Sequence, residues 1–317
     1  MFIQSLSFKS TMRLLICLTL LGVLSGCNLY NMASYQWHNA DATAAFSKNN
    51  TVSRLPFKMV NQHILVDVMI NEQGPFSFVL DSGAAATVVV ENKKTTRLKL
   101  PRENPLRISG TGSGEEPTAY VVHDQRVDAG DLNITQLSII YATFESMPFS
   151  STEEIYFDGI LGADFFNCCI VEVDHENSEV LFYQSITDAP HLLSDNWQEL
   201  TLRIESNNPF IELMVHDGQQ LKPASVMVDT GSTGTLSLYI ADGQYQKPQY
   251  SFRTRSTGVQ GDSANDVGFL PELKLGKNKL MNIPTYFRSE GEVPDSDSNG
   301  ILGNRILKGF NQAYDFQ

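Results

Sequence analysis

The chain carries one pattern twice. In the first copy Ile64-Leu65-Val66-Asp67-Val68-Met69-Ile70 passes through Asn71-Glu72-Gln73-Gly74 into Phe78-Val79-Leu80-Asp81-Ser82-Gly83. In the second, Phe210-Ile211-Glu212-Leu213-Met214-Val215 passes through Asp217-Gly218 into Val226-Met227-Val228-Asp229-Thr230-Gly231. Each copy reads as a hairpin whose second, apolar strand ends in an Asp-Ser/Thr-Gly turn. The match continues through a glycine-rich stretch, Ser109-Gly110-Thr111-Gly112-Ser113-Gly114 against Thr257-Gly258-Val259-Gln260-Gly261. It ends with Asp158-Gly159-Ile160-Leu161-Gly162 against Asn299-Gly300-Ile301-Leu302-Gly303. From the aspartate to the glycine before Ile-Leu is 78 residues in the first copy and 71 in the second. A repeat of this length restricts the chain to two equivalent lobes, each delivering one aspartate.

The segments around the repeat are short and rich in β-branched and aromatic residues. Phe76 to Leu80, Thr87 to Val90, Ala119 to Val122 and Val180 to Tyr183 are separated by Gly, Pro, Asn and Asp. The chain is therefore mainly β. Helical stretches are confined to the region of Glu91 to Leu100 and to the residues after each Ile-Leu-Gly. Residues 186 to 197, polar and containing Pro190, connect the lobes, which divide as 54–190 and 191–317. After its Ile-Leu-Gly the first half continues through Val171-Glu172-Val173-Asp174 to Val180-Leu181-Phe182-Tyr183. The second half has only Tyr314-Asp315-Phe316-Gln317, so lobe two is expected to lack a final strand.

Two aspartates on matching turns form a chemical unit if the lobes bring them together. Close carboxyls cannot both ionise at moderate pH, so one keeps its proton. The charged member can take a proton from water while the neutral one polarises a carbonyl. Ser82 and Thr230 carry hydroxyls that can bond across to the opposite turn. Gly83 and Gly231 allow the backbone close to the carboxyls. The next residues differ: Ala84 has no hydroxyl, whereas Ser232 can offer one to Asp229, which would make Asp229 the charged base and Asp81 the protonated acid.

These residues resemble the pepsin and retropepsin superfamily of aspartic proteases, over about residues 54–317, and most closely bacterial retropepsin-like enzymes with two half-sites fused in one chain. The resemblance implies a bilobal acid-protease fold, two β-barrel-like lobes with the active site between them. It implies an aspartic endopeptidase with Asp81 and Asp229 catalytic, braced by Ser82, Gly83, Thr230, Gly231 and Ser232. Gly110, Thr111 and Gly112 would belong to a flap over an extended polypeptide substrate, with Gly258 and Gly261 in a second flap. No tyrosine sits in the tip of the first flap; Tyr120 lies just outside it. A fused pair needs no dimer to complete its site, so a monomer is expected.

The amino terminus carries an address. Met12-Arg13 precedes an apolar run from Leu14 to Leu24 and then Leu24-Ser25-Gly26-Cys27, the layout of a secretory signal. The run is too short for a comfortable membrane span. The Leu-Ser-Gly-Cys ending resembles a bacterial lipobox, which implies lipidation of Cys27, removal of the preceding residues and a lipid-anchored protein facing the periplasm. Residues 28–53, rich in Asn, Ala and Ser, are expected to be a flexible tether. Cys168 and Cys169 then remain, adjacent and read as small apolar residues in or near a strand.

Other chemistries fit less well. The net charge is −13 with no Lys/Arg block, which argues against nucleic acid as a partner. The six histidines lack metal-ligand spacing, and Asp158/Asp164 and Asp295/Asp297 lack that of a calcium loop. No metal or organic cofactor is expected. The alternative to an enzyme is a catalytically inactive lipoprotein of the same fold that binds peptides or envelope proteins.

Overall fold

A computed structural model describes residues 30–112, 114–147, 155–241, 243–288 and 298–317. The signal segment with Cys27, Ser113 of the first glycine-rich stretch, and the Asp295/Asp297 pair lie outside the described residues.

Lobe one holds β1 (Thr43–Phe46), β2 (Val52–Val60), β3 (His63–Ile70), β4 (Gln73–Leu80), β5 (Val88–Val90), β6 (Pro105–Arg107), β7 (Thr118–Ala129), β8 (Leu132–Ala142), β9 (Gly159–Leu161), β10 (Ile170–Asp174) and β11 (Glu179–Tyr183). Lobe two holds β12 (Arg203–Glu205), β13 (Asn208–His216), β14 (Leu221–Asp229), β15 (Leu236–Tyr239), β16 (Phe252–Gly258), β17 (Gly261–Leu275), β18 (Asn278–Arg288), β19 (Gly300–Gly303) and β20 (Gln312–Tyr314). Short helices follow each Ile-Leu-Gly: α2 (Ala163–Asn167) and α3 (Asn304–Leu307); α1 spans residues 30–39. The fold is thus mainly β and bilobal.

The alternation of apolar residues sets the register. Ile64, Val66, Val68 and Ile70 of β3 turn inward and Asp67 outward; in β13 Ile211, Leu213 and Val215 turn inward and Glu212 outward. Each such side chain stabilises its lobe by about 1.5–3 kcal/mol on burial. The pairing repeats from lobe to lobe. β4 runs parallel to β9, and β14 parallel to β19. β5 and β15 then pair antiparallel with the Ile-Leu-Gly strands and parallel with β8 and β18. Contacts of β3 with β7 and of β13 with β17 curl each sheet toward a barrel.

The expected absence of a last strand in lobe two is half right. Among the described residues nothing there answers β11, but β20 forms, and it pairs antiparallel with β10 of lobe one, Val171 opposite Tyr314 and Val173 opposite Gln312. A sheet in the order β20–β10–β11–β2 therefore joins the lobes. Tyr314 is buried against the edge of the Phe166 ring, and Phe316 stacks on the same ring at 5.2 Å. One continuous apolar core runs through this junction into both lobes.

Residues 30–53 are not a tether. Asn31, Tyr35 and Asn39 fall on one face of α1 at four-residue spacing. Tyr35 packs with Leu106, Ala119 and Val121. Asn31 donates to Pro105 O at 2.8 Å, and Asn39 Oδ1 accepts from Ser138 N at 2.6 Å. β1 pairs with β8 and β2 with β3 and β11. The polar composition of this stretch hid a helix held by Tyr35 and by the hydrogen-bonded amides of Asn31 and Asn39 rather than by aliphatic side chains. Cys168 and Cys169 sit between α2 and β10, their sulfurs 2.7 Å apart, Cys169 buried.

Candidate active site

Asp81 follows β4 and Asp229 ends β14, so the central apolar strand of each lobe fixes its aspartate. Behind each turn lies the Gly-Ile-Leu-Gly strand. A Cβ on Gly162 would stand 2.6 Å from Ala84 O, and one on Gly303 3.0 Å from Ser232 O. Ala163 N donates to Ala84 O at 2.8 Å and Asn304 N to Ser232 O at 2.9 Å.

The two turns lock together across the lobes. Ser82 N donates to Thr230 Oγ1 at 2.9 Å and Thr230 N to Ser82 Oγ at 3.1 Å. The hydroxyls pass their own protons on, Ser82 Oγ to Val228 O at 2.7 Å and Thr230 Oγ1 to Leu80 O at 2.8 Å. Ser82 and Thr230 are fully buried, so these four bonds are shielded from water and costly to leave unmade. Each glycine of the turns faces the other lobe's carboxyl. A Cβ on Gly83 would stand 2.8 Å from Asp229 Cγ, and one on Gly231 2.2 Å from Asp81 Cγ. Only glycine permits this approach.

The carboxyls of Asp81 and Asp229 hydrogen-bond each other. Gly83 N donates to Asp81 Oδ1 and Gly231 N to Asp229 Oδ1, both at 2.8 Å. Burial is the first cause that raises both acids above the usual carboxylate range, Asp81 the further; the neighbouring Asp229 charge adds to the rise at Asp81. One proton shared by such a pair is the state that polarises a carbonyl and activates a water at once. Tyr314, buried beneath, has its phenol pushed up by burial and by the Asp229 charge.

The hydroxyl of Ser232 does not reach Asp229. It accepts from Gly234 N at 3.4 Å; the backbone N–H of Ser232 donates to Asp229 O at 3.2 Å, as that of Ala84 does to Asp81 O at 3.4 Å, and both favour the charged form of the aspartate. The difference between the two acids therefore does not come from that side chain.

The glycine-rich stretches meet tip to tip. Residues 108–112 and 114–117 form no strand, whereas β16 and β17 make a regular hairpin whose tip is Val259-Gln260. Gln260 N donates to Thr111 O at 2.9 Å, Gly114 N to Gln260 O at 2.6 Å, and Gly110 N to Gln260 Oε1 at 3.1 Å. Gly112, at φ 134°, has no room for a Cβ beside the Gln260 backbone. Gly258 packs on Thr111, and Gly261, at φ 85°, opens β17.

Residues that a reading of the sequence passes over also converge here. His63 opens β3 after the Asn61-Gln62 turn, whose φ values of 50° and 74° mark a tight hairpin reversal. Its Nε2 donates to Gly231 O at 2.7 Å, and its Nδ1 accepts from Tyr156 OH. Asn304, fully buried, donates from Nδ2 to Gln62 O at 2.8 Å and to Thr230 O. Arg288, at the end of β18, favours the charged form of Asp229. The one signal for Asn304 was the contrast of Gly303-Asn304 with Gly162-Ala163. His63 had none, because its value lies in which turn it opens. Asp158 and Asp164 serve the framework: Asp158 accepts from Ser77 N and Asn92 Nδ2, Asp164 from Thr87 N. Among the described residues no cluster of three His, Cys, Asp or Glu is placed to hold a metal ion, and no helix is long and apolar enough to cross a membrane.

This is the fold of the aspartic proteases. Residues 66–165, the span from β3 to α2, match a family described as aspartyl protease. The chain is similar in structure to the aspartic proteinase of Irpex lacteus, with a TM-score of 0.50 at 14% identity over 84% of this chain and 94% of that one. No curated protein matches the sequence.

Proposed function

We propose that the chain is an aspartic endopeptidase in which Asp81 and Asp229 share one proton and activate a water against a peptide bond. The observation that carries this reading is the pair itself: two half-buried aspartates from two lobes, bonded to each other and held by reciprocal Ser82–Thr230 bonds. The charged member takes a proton from the water as its oxygen bonds to the peptide carbon, and the protonated member gives its proton to the carbonyl oxygen. The resulting gem-diol collapses as a proton passes to the amide nitrogen and the C–N bond breaks. The products are a carboxylic acid and an amine, and the pair regains its single proton. The substrate is an extended polypeptide under the tips at Gly110–Gly112 and Gly258–Gly261, whose mutual hydrogen bonds must part to admit it.

The test is cleavage of an unfolded protein or a peptide library by the wild type, Asp81→Asn and Asp229→Asn. Both substitutions should abolish cleavage, by about 10³-fold or more. Cleavage that persists in either one excludes the pair. A wild type that binds peptide without cutting it makes the chain a binding protein.

The Leu24-Ser25-Gly26-Cys27 ending supports a mature protein lipidated at Cys27, anchored on the bacterial envelope and facing the periplasm, and the presence of both half-sites in one chain supports a monomer. Cys27→Ser should move the protein from the membrane to the soluble fraction; retention on the membrane would exclude the lipid anchor.

A further inference from the structure

The lobes correspond residue by residue. Leu65 pairs with Val79 and Phe210 with Met227, each two places before its aspartate. His63 and Asn208 therefore hold equivalent backbone positions, as do Asn304 and Ala163. The side chains at these positions differ, and the difference falls behind the aspartates. Thr230 O accepts from Asn304 Nδ2 and Gly231 O from His63 Nε2 at 2.7 Å. The first carbonyl belongs to the peptide unit whose N–H, that of Gly231, donates to Asp229 Oδ1 at 2.8 Å. The second belongs to the unit whose N–H, that of Ser232, donates to Asp229 O at 3.2 Å and favours the charged form of its carboxyl. Donation to a carbonyl polarises its peptide unit and strengthens the N–H at the other end. Asp229 thus terminates two chains of hydrogen bonds. The equivalent N–H groups serve Asp81, that of Gly83 donating to Oδ1 and that of Ala84 to the main-chain O at 3.4 Å. Ala163, however, has no side-chain donor, and Asn208 leaves its Oδ1 buried and unpartnered.

We propose that His63 and Asn304 are positioning residues that place the negative charge of the pair on Asp229 and the proton on Asp81, making Asp229 the base toward water and Asp81 the acid toward the carbonyl. The proposal rests on reading the pair as the catalytic dyad. The titratable groups around Asp229 are Asp81, Arg288 from β18 and Tyr314 from β20; His63 faces Tyr156, with the Phe157 ring at its edge. Arg288 acts in the same direction as the two donors and is untouched by changes at His63. Burial lowers the affinity of His63 for a second proton. The neutral ring donates through Nε2 and accepts at Nδ1, and protonation would leave the Nε2–H bond to Gly231 O in place.

The experiment is the pH profile of kcat/KM for wild type, His63→Leu, His63→Gln and Asn304→Ala. It is paired with a carboxyl NMR titration of aspartate-13C-labelled protein, assigned through Asp229→Asn. Losing a donor should raise the pH at which Asp229 ionises. His63→Leu and Asn304→Ala should then lose about 3- to 10-fold in kcat/KM on the acid limb, with the plateau moving less than about twofold. His63→Gln keeps a donor and should lie within about twofold of wild type throughout. Profiles that superimpose, or an equal loss at every pH, would overturn the proposal. Should His63→Leu fail to fold, Asn304→Ala and His63→Gln carry the same expectations. A wild type that cleaves nothing defeats the dyad reading instead, and the NMR titration still decides which carboxyl ionises first.

Discussion

Lobe one and lobe two reach the same tripeptide by the same route and then surround it differently. Around Asp81 the supporting polar groups are nearly all backbone, with Ala84 and Ala163 packed close by. Around Asp229 they include the His63 ring, the Asn304 amide and the Arg288 guanidinium. Two of those residues tie lobe two's turn to lobe one, since His63 opens β3 and Asn304 bonds Gln62 O at 2.8 Å. The tips diverge as well, one irregular and one a ladder of paired residues from Phe252 to Gly258. Duplication preserved the strands that fix each aspartate and left free the residues that decide how each acid behaves.

The largest effect should come from the glycines that face the opposite carboxyl. Gly231→Ala places a methyl where the Asp81 carboxyl lies, and Gly83→Ala meets Asp229 at a slightly longer distance. Displacing a reacting group by about 1 Å can cost about 100-fold. We expect kcat to fall by at least that factor for Gly231→Ala and by less for Gly83→Ala; equal losses would mean that the turns are equally tight.

Next is the strand that lobe two lends to lobe one. Tyr314→Ala removes a buried ring from the junction and should destabilise the protein by about 3–5 kcal/mol in urea unfolding. Val171→Ala, on the residue that Tyr314 pairs with, should cost less, since fewer atoms are removed. Equal stability of Tyr314→Ala and wild type would show that the lobes hold together without the shared sheet.

The smallest effect concerns pH. In the folded state both aspartates bind a proton more tightly than in the unfolded chain. Their contribution to stability is therefore fully present below the unfolded carboxylate range, near pH 4, and is lost as pH rises through the folded values. Asp81→Asn, which cannot ionise, should melt higher than wild type at pH 7, by on the order of 2–4 °C for each kcal/mol relieved. The gap should close at pH 3. A variant that melts lower than wild type at pH 7 would mean that the ionised pair is not a strain on the fold.

Much of this architecture was legible in the amino-acid order. The two hairpins, the paired turns and the Gly-Ile-Leu-Gly strands behind them depend on local apolar alternation and on glycine, and both leave a mark in sequence. The polar groups that differ between lobes did not. Asn304 meets Thr230 O from 74 residues away and His63 meets Gly231 O from 168, and no periodicity records such contacts. The same blindness turned α1 into a tether, because Asn31 is polar by type and buried by partnership, and Asn39 is half-buried on its partners. Ser232 misled in the opposite sense: its hydroxyl is next to Asp229 in sequence but turned away in space.

The β10–β20 pair has a further consequence for synthesis. Gln312 joins Val173 only after the whole of lobe two has been made. A lobe one emerging alone has an open edge at β10 and half of a Ser82–Thr230 lock. A chain interrupted before Asp229 would hold Asp81 beside no second carboxyl, so vectorial production of the polypeptide keeps so short a molecule from assembling its paired acids.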